Sequence, residues 1–241
     1  MIKIISFNLD GNLLDKVSFE ELFYYEEMPK LVSVQHKLGL DKAKALVKRE
    51  YSNVSAADPN FYRPLFWFER FKIKPNWQGI VDDMIHLMHI HRELPLVFVA
   101  LRKKYMLVVV SKHAKDFLRA KLIACGLLKD IQQIVSAVDD FNVTKKDGRL
   151  YEFIVKTYQC KPSEVLHVGD SKDIDYDIPS GLGIHALILD REQKKKGVHQ
   201  IQSLKEIESH ISAINKEDEM EQTKKPKILY VQKEEHHLFD F

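Results

Sequence analysis

Four short apolar runs, residues 2–7, 106–110, 165–168 and 185–189, limit what this chain can fold into. Their residues are mostly aliphatic and lack polar alternation, so each needs cover on both faces, as strands of a parallel sheet have. A weaker fifth run spans 134–138. Helical patterns at 94–104, 115–124, 150–158 and 203–214 lie between or after them. This alternation predicts an α/β fold built on a doubly wound parallel sheet.

One stretch interrupts the alternation. Between about residues 15 and 90 nothing reads as a strand, and apolar positions such as Phe19, Leu22 and Phe23, then Leu65, Phe66, Phe68 and Phe71, recur at helical spacing. The prediction is an α-helical cap at 15–90 inserted into a core of 1–14 and 91–215, with a charged linker and tail at 216–241. The aromatic run 61–68 is expected to be the core of the cap rather than a pocket lining, because a small helical unit needs large side chains to bury enough area.

Thirty-seven Lys and Arg against thirty-five Asp and Glu leave a net charge of +2, without the basic excess of a nucleic-acid binder. No apolar run reaches the ~18–20 residues of a membrane span. Nucleic acid and membrane are therefore not expected as partners. Cys125 and Cys160 are too few and too far apart for a disulfide scaffold, which fits a reducing, cytoplasmic setting.

The candidate chemistry sits at strand ends. After the first run comes Asn8-Leu9-Asp10-Gly11, with Asn8 and Asp10 on the same side of the chain at its carboxyl end. Ser111 follows the second run directly, where a hydroxyl and backbone N–H groups can hold a phosphate; it could equally cap a helix. Lys145 precedes the helix from Leu150. After the third run, Gly169-Asp170-Ser171-Lys172-Asp173-Ile174-Asp175 concentrates carboxylates, oxygen ligands that suit Mg²⁺.

In this order the segments resemble the four motifs of the haloacid dehalogenase-like (HAD) hydrolase superfamily, over essentially residues 1–215. The resemblance implies an Mg²⁺-dependent phosphohydrolase acting on a small phosphomonoester through an aspartyl-phosphate. Asp10 would protonate the leaving alcohol and then activate water. Ser111 would hold the phosphoryl oxygens and Lys145 would offset their charge. Asn8, Asp10, Asp170 and Asp175 would form the metal set, with Asp173 as an alternative to Asp175. Asp10 also favours a phosphatase over a true dehalogenase, because cleaving a carbon–halogen bond needs no acid for an alkoxide.

Position 8 departs from the pattern. The nucleophile's place holds Asn, an amide of similar shape but no charge and poor nucleophilicity. Losing a covalent nucleophile costs on the order of 10⁶-fold in a serine protease, so this chain is expected to be inactive or to trap its ligand. Either Asn8 is a substitution introduced into an otherwise active enzyme, or the protein has given up catalysis and binds or regulates through the old site. Retention of the other motif residues favours the first. Asn12, where the family usually has Thr, is a milder departure.

Other features carry less. His86, His89 and His91 do not share one helical face, and no Cys or carboxylate completes a metal cluster. Residues 228–231 could form an edge strand. The apolar end, Leu238-Phe239-Asp240-Phe241, could dock into a partner's groove as a weak protein-partner motif; packing or disorder is the favoured reading.

Overall fold

A computed structural model of the 241-residue chain describes residues 1–14, 19–74, 76–84, 90–192 and 199–224, except for the side chains of 77, 78, 81 and 218–224. Among the described residues, six strands form one sheet: β1 (Ile4–Phe7), β2 (Met106–Ser111), β3 (Gln133–Ser136), β4 (Val165–Gly169), β5 (His185–Leu189) and β6 (Gln200–Ile201). They lie in the order β3-β2-β1-β4-β5-β6, and every pairing is parallel. The order reverses between β1 and β4, and open α/β sheets bind ligands in the crevice at such a point.

The lack of polar alternation in the strands now has its cause. One face, with Ile5, Phe7, Val109 and Val168, packs on Phe98 and Leu101 of α6 (Leu94–Leu101) and on Ile207 and Ile211 of α11 (Ile207–Lys224). The opposite face, with Ile4, Val108, Val110 and Val165, packs on Leu150, Tyr151 and Ile154 of α9 (Gly148–Thr157). The Asp147 carboxylate caps α9 by accepting from the Arg149 N–H at 3.0 Å.

Among the described residues, five helices lie between β1 and α6: α1 (Phe19–Leu22), α2 (Met28–His36), α3 (Leu40–Ser52), α4 (Pro64–Arg70) and α5 (Trp77–Met84). A π-helical turn, Phe23–Glu27, joins the first two. These helices bury an aromatic core of their own that includes Phe23, Tyr51, Trp67, Phe68 and Phe71. The core continues into Phe117 of α7 (Lys115–Ala124) and Val138 of α8 (Ala137–Phe141). The Arg63 guanidinium adds a polar tie, donating to the Val138 carbonyl at 2.5 Å and pairing with Asp139 at 3.2 Å.

The differences from the sequence expectation lie at edges. β6 has two residues, too few for a period to register. Helix α11 runs on to Lys224, through most of the charged stretch expected to be a linker. The strand expected at 228–231, the tail end, His86 and His89 lie outside the described residues. No helix among the described residues is long and apolar enough to cross a membrane.

Trp67 is fully buried, 4.4 Å from Tyr51 between ring centroids, and its indole N–H donates to the Phe61 carbonyl at 2.9 Å. Trp67→Ala is expected to lower unfolding free energy by about 3–5 kcal/mol in urea denaturation. A loss below about 1 kcal/mol would mean that the ring is peripheral to the helical core.

Candidate active site

β1 ends in a turn wound around Leu9, whose carbonyl accepts from the N–H groups of Leu13 (2.9 Å) and Leu14 (3.1 Å). Gly11 takes φ 77°, a left-handed conformation that favours glycine. Leu9, Leu13 and Leu14 are buried, which fixes the turn and aims Asn8 and Asp10 into a cavity of about 380 Å³. Asn12 is fully buried, and its amide donates to the Val168 carbonyl at 2.6 Å, so this departure from the motif keeps a backbone contact between the turn and β4.

Ser111, the last residue of β2, and Asp170, just after β4, line the same cavity as Asn8 and Asp10. The Ser111 hydroxyl accepts from the His113 N–H at 3.3 Å. The lysine that reaches the cavity is Lys146, not Lys145: Lys146 is buried and donates to Asn8 Oδ1 at 3.1 Å, whereas Lys145 is exposed. Neighbouring lysines in a loop follow no period, so nothing in the local sequence chooses between them.

Asp175 is fixed by its surroundings. Its Oδ1 accepts from the Lys146 ammonium and lies 3.3 Å from Nε2 of the buried His167. Its Oδ2 accepts from the N–H groups of Asp170 (3.2 Å) and Ser171 (3.1 Å). Both oxygens are engaged, so Asp175 stands as an anchor beneath the site. Burial works to raise its carboxyl, but the His167 hydrogen bond and the Lys146 charge hold it well below the ordinary carboxylate range. Gly169 is required here, because a Cβ at that position would lie 2.3 Å from Asp175 Cβ. Asp173 is exposed and does not line the cavity.

A second buried charge lies behind Asp10. Lys121, on α7, is 1% exposed, and its ammonium donates to Asp10 Oδ1 at 2.7 Å and to Glu20 Oε1 at 2.6 Å. His113 stands 3.5 Å from Asp10 Oδ2 and from Glu20. Burial opposes the Lys121 charge, yet the Glu20 and Asp10 carboxylates hold its ammonium above the usual range. Burial also pushes the His113 ring below its usual value, against the pull of the same carboxylates. Sequence reasoning missed this group, although a signal existed: Lys121 falls three and four residues after Leu118 and Phe117, on the apolar face of α7.

The oxygens near Asn8 suit a hard cation. The Asp10 carbonyl and Asp170 Oδ1 converge on Asn8 Nδ2, each at 2.9 Å. The Asn8 carboxamide carries an oxygen as well as a nitrogen, and its last torsion is two-fold. An amide oxygen, a carbonyl and a carboxylate are ligands that Mg²⁺ accepts, here with the single formal charge of Asp170. Asp10, Glu20, Glu21, Asp170 and Asp175 also outnumber Lys112 and Lys146 along the cavity, so the lining itself favours positive charge. Another cluster, Asp10, Glu20 and His113, has metal-ligand spacing, but the Lys121 ammonium already pairs with both of its carboxylates.

Residues 2–181 match the family model described as haloacid dehalogenase-like hydrolase. The chain belongs to that hydrolase family. A HAD phosphatase from Thermococcus onnurineus is 20% identical, with 87% of this chain and 98% of that one covered at a TM-score of 0.64. A 2-haloacid dehalogenase from Pseudomonas syringae pv. Tomato DC3000 is 15% identical, with 88% and 99% covered and a TM-score of 0.56. The HAD-hydrolase YfnB from Bacillus subtilis, solved with magnesium bound, is 13% identical, with 88% and 99% covered and a TM-score of 0.56. At these identities the likeness is one of fold. No curated protein matches the sequence.

Removing the Asp175 charge leaves the buried Lys146 ammonium without its counter-charge and His167 without its carboxylate partner. Asp175→Asn is expected to cost about 3–5 kcal/mol in urea denaturation at pH 7. Because the folded carboxyl is held below its unfolded value of about 4, its contribution is complete above that pH and declines as pH falls below it. The gap between parent and variant should therefore narrow from pH 5 to pH 3; a constant gap would contradict the ion-pair account.

Proposed function

We propose that this protein carries the phosphomonoester site of an HAD-type phosphohydrolase, with its covalent step disabled at position 8. The single observation that carries this reading is that one cavity brings together Asn8, Asp10, Ser111, Lys146 and Asp170 from four separate parts of the chain. The Ser111 hydroxyl and the Lys146 ammonium hold phosphoryl oxygens, a neutral donor and a cation suited to that task. Asp10 gives its proton to the leaving oxygen. Asp10 is also what favours a phosphate ester over a carbon–halogen substrate, whose halide leaves without a proton.

Asp170, the Asp10 carbonyl and the Asn8 amide oxygen would hold Mg²⁺, which offsets phosphoryl charge when bound. At position 8 the reaction lacks its attacking carboxylate. An amide nitrogen or oxygen there does not form the acyl-phosphate bond, so bound ester is retained rather than split.

A catalytically silent binding or regulatory protein is the second reading. Its support is that the Asn8 amide already satisfies both the Asp10 carbonyl and Asp170 within the protein.

The deciding experiment is turnover of p-nitrophenyl phosphate with Mg²⁺ by the chain carrying Asn8 and by Asn8→Asp. The expected gain is at least about 10³-fold, given the ~10⁶-fold that losing a nucleophile costs elsewhere. Silence of both proteins across a broad panel of phosphate esters would leave the binding reading. Within the active variant, Lys146→Ala should cut kcat/KM by about 10²-fold or more, as loss of a charge-stabilising donor does. Lys145→Ala should leave it within about twofold; the reverse ranking would return the role to Lys145.

A further inference from the structure

Helix α6, Leu-Pro-Leu-Val-Phe-Val-Ala-Leu, contains no polar side chain. A helix that is apolar all round normally has cover on every side. One side of α6 has it: Phe98 and Leu101 pack on the sheet, and the Phe98 ring lies 5.2 Å from that of Phe7, the residue before Asn8. The other side does not, since Leu96 is 74% exposed and Val99 40%.

Between that side and the start of α11 runs a groove of about 210 Å³. Leu96, Val97 and Ala100 form one wall; Leu204, Lys205 and Glu208 form the other. Its volume is several times the ~30 Å³ of a water molecule, so it admits large side chains. Glu208 already pairs with Lys104 at 2.7 Å, which leaves Lys205 as the rim cation without an ion pair among the described residues.

Chain length and charge select the occupant. Residues 225–241 follow directly on α11 and contain two apolar stretches, 228–231 and 238–241. Glu208 lies ~24 Å back along the helix axis from Lys224, at about 1.5 Å per residue. Extended chain covers ~3.3 Å per residue, so 228–231 come only ~13–23 Å from Lys224 and fall short, whereas 238–241 can span ~46 Å. Leu238-Phe239-Asp240-Phe241 also sets three large apolar side chains around one carboxylate, the complement of apolar walls with one available ammonium. A second copy of the chain fits less well. A stable interface covers ~800 Å² and ~20–30 residues on each partner, and the exposed apolar side chains here belong to one short helix.

We propose that residues 238–241 dock in the groove between α6 and α11, with apolar side chains on Leu96 and Val97 and the Asp240 carboxylate at Lys205. Docked there, they complete the outer cover of the helix whose inner side supports β1 next to Asn8.

Two experiments on the full chain test this. In urea denaturation, Leu96→Ala is expected to lower the folding constant about tenfold, against the roughly twofold of an ordinary exposed position. In a chain that also carries Leu238→Ser, Phe239→Ser and Phe241→Ser, the same substitution should change it by less than about twofold, because the contact is already gone. Equal costs in the two backgrounds, or no cost in either, would overturn the docking.

The second experiment reads proximity. With the free thiols removed by Cys125→Ser and Cys160→Ser, Leu96→Cys and Phe239→Cys should form a disulfide within one chain under mild oxidation, detected at monomer mass. Such a bond needs Cα atoms within about 7 Å. Ala213→Cys, in a different groove lined by His210, Ala213 and Ile214, should join Phe239→Cys at least about tenfold more slowly. Preference for Ala213→Cys would overturn the proposal by placing the segment in that other groove. Disulfides formed only between chains would overturn it by giving the α6 face to a second copy.

Discussion

A buried carboxylate organises this site. Asp175 sits under Gly169 with its oxygens divided between a lysine, a histidine and two backbone N–H groups. These partners come from three segments, so one charge joins β4, the turn after it and the loop before α9. Lys146 then reaches from Asp175 to Asn8 and carries the connection to β1. Removing charges from water is unfavourable, and only such dense pairing makes it tolerable. Side chains tied in this way lose their freedom, which is what a site that aligns reacting groups requires.

Lys121 repeats the device on the other side of Asp10. The two buried lysines flank the end of β1, one reaching Asn8 and the other Asp10. They act differently on the helices inserted before β2. Lys146 stays within the sheet-bearing part, while Lys121 reaches Glu20 and so links those helices to the β1 turn. Arg63, on the far side, pairs with α8, and the shared aromatic core fills the space between these polar ties. Carboxylates still outnumber lysines along the cavity, which leaves the Asn8 end of the site suited to a cation.

Much of the site was legible because its residues sit at predictable places. Asn8, Asp10, Ser111 and Asp170 follow apolar runs, and a strand's carboxyl end is where an open sheet builds its crevice. The residues that escaped were those whose identity depends on distance across the fold. Lys145 and Lys146 are equivalent as sequence, and only packing against Asp175 selects the second. Asp175 reads as one of several carboxylates in a row, yet it is the one driven inward beneath a glycine. Lys121 resembles any helical lysine until its apolar neighbours are considered, and its partners stand 111 and 101 residues away. The aromatic run 61–68 was readable as core, because the large rings of Trp67 and Phe68 gain by burial and the single indole N–H finds the Phe61 carbonyl within the same unit.

By itself the sequence determined the class of fold, the order of strand and helix, and the change from carboxylate to amide at position 8. These follow from local chemistry: aliphatic runs require cover, helical periods require a face, and an amide lacks charge wherever it stands. The tertiary structure decided which charges are buried and with whom. Pairing between distant side chains depends on where the backbone brings them, and burial rewards only those pairs that meet. Lys146 on Asp175 and Lys121 on Asp10 are two such meetings, and local pattern contains neither.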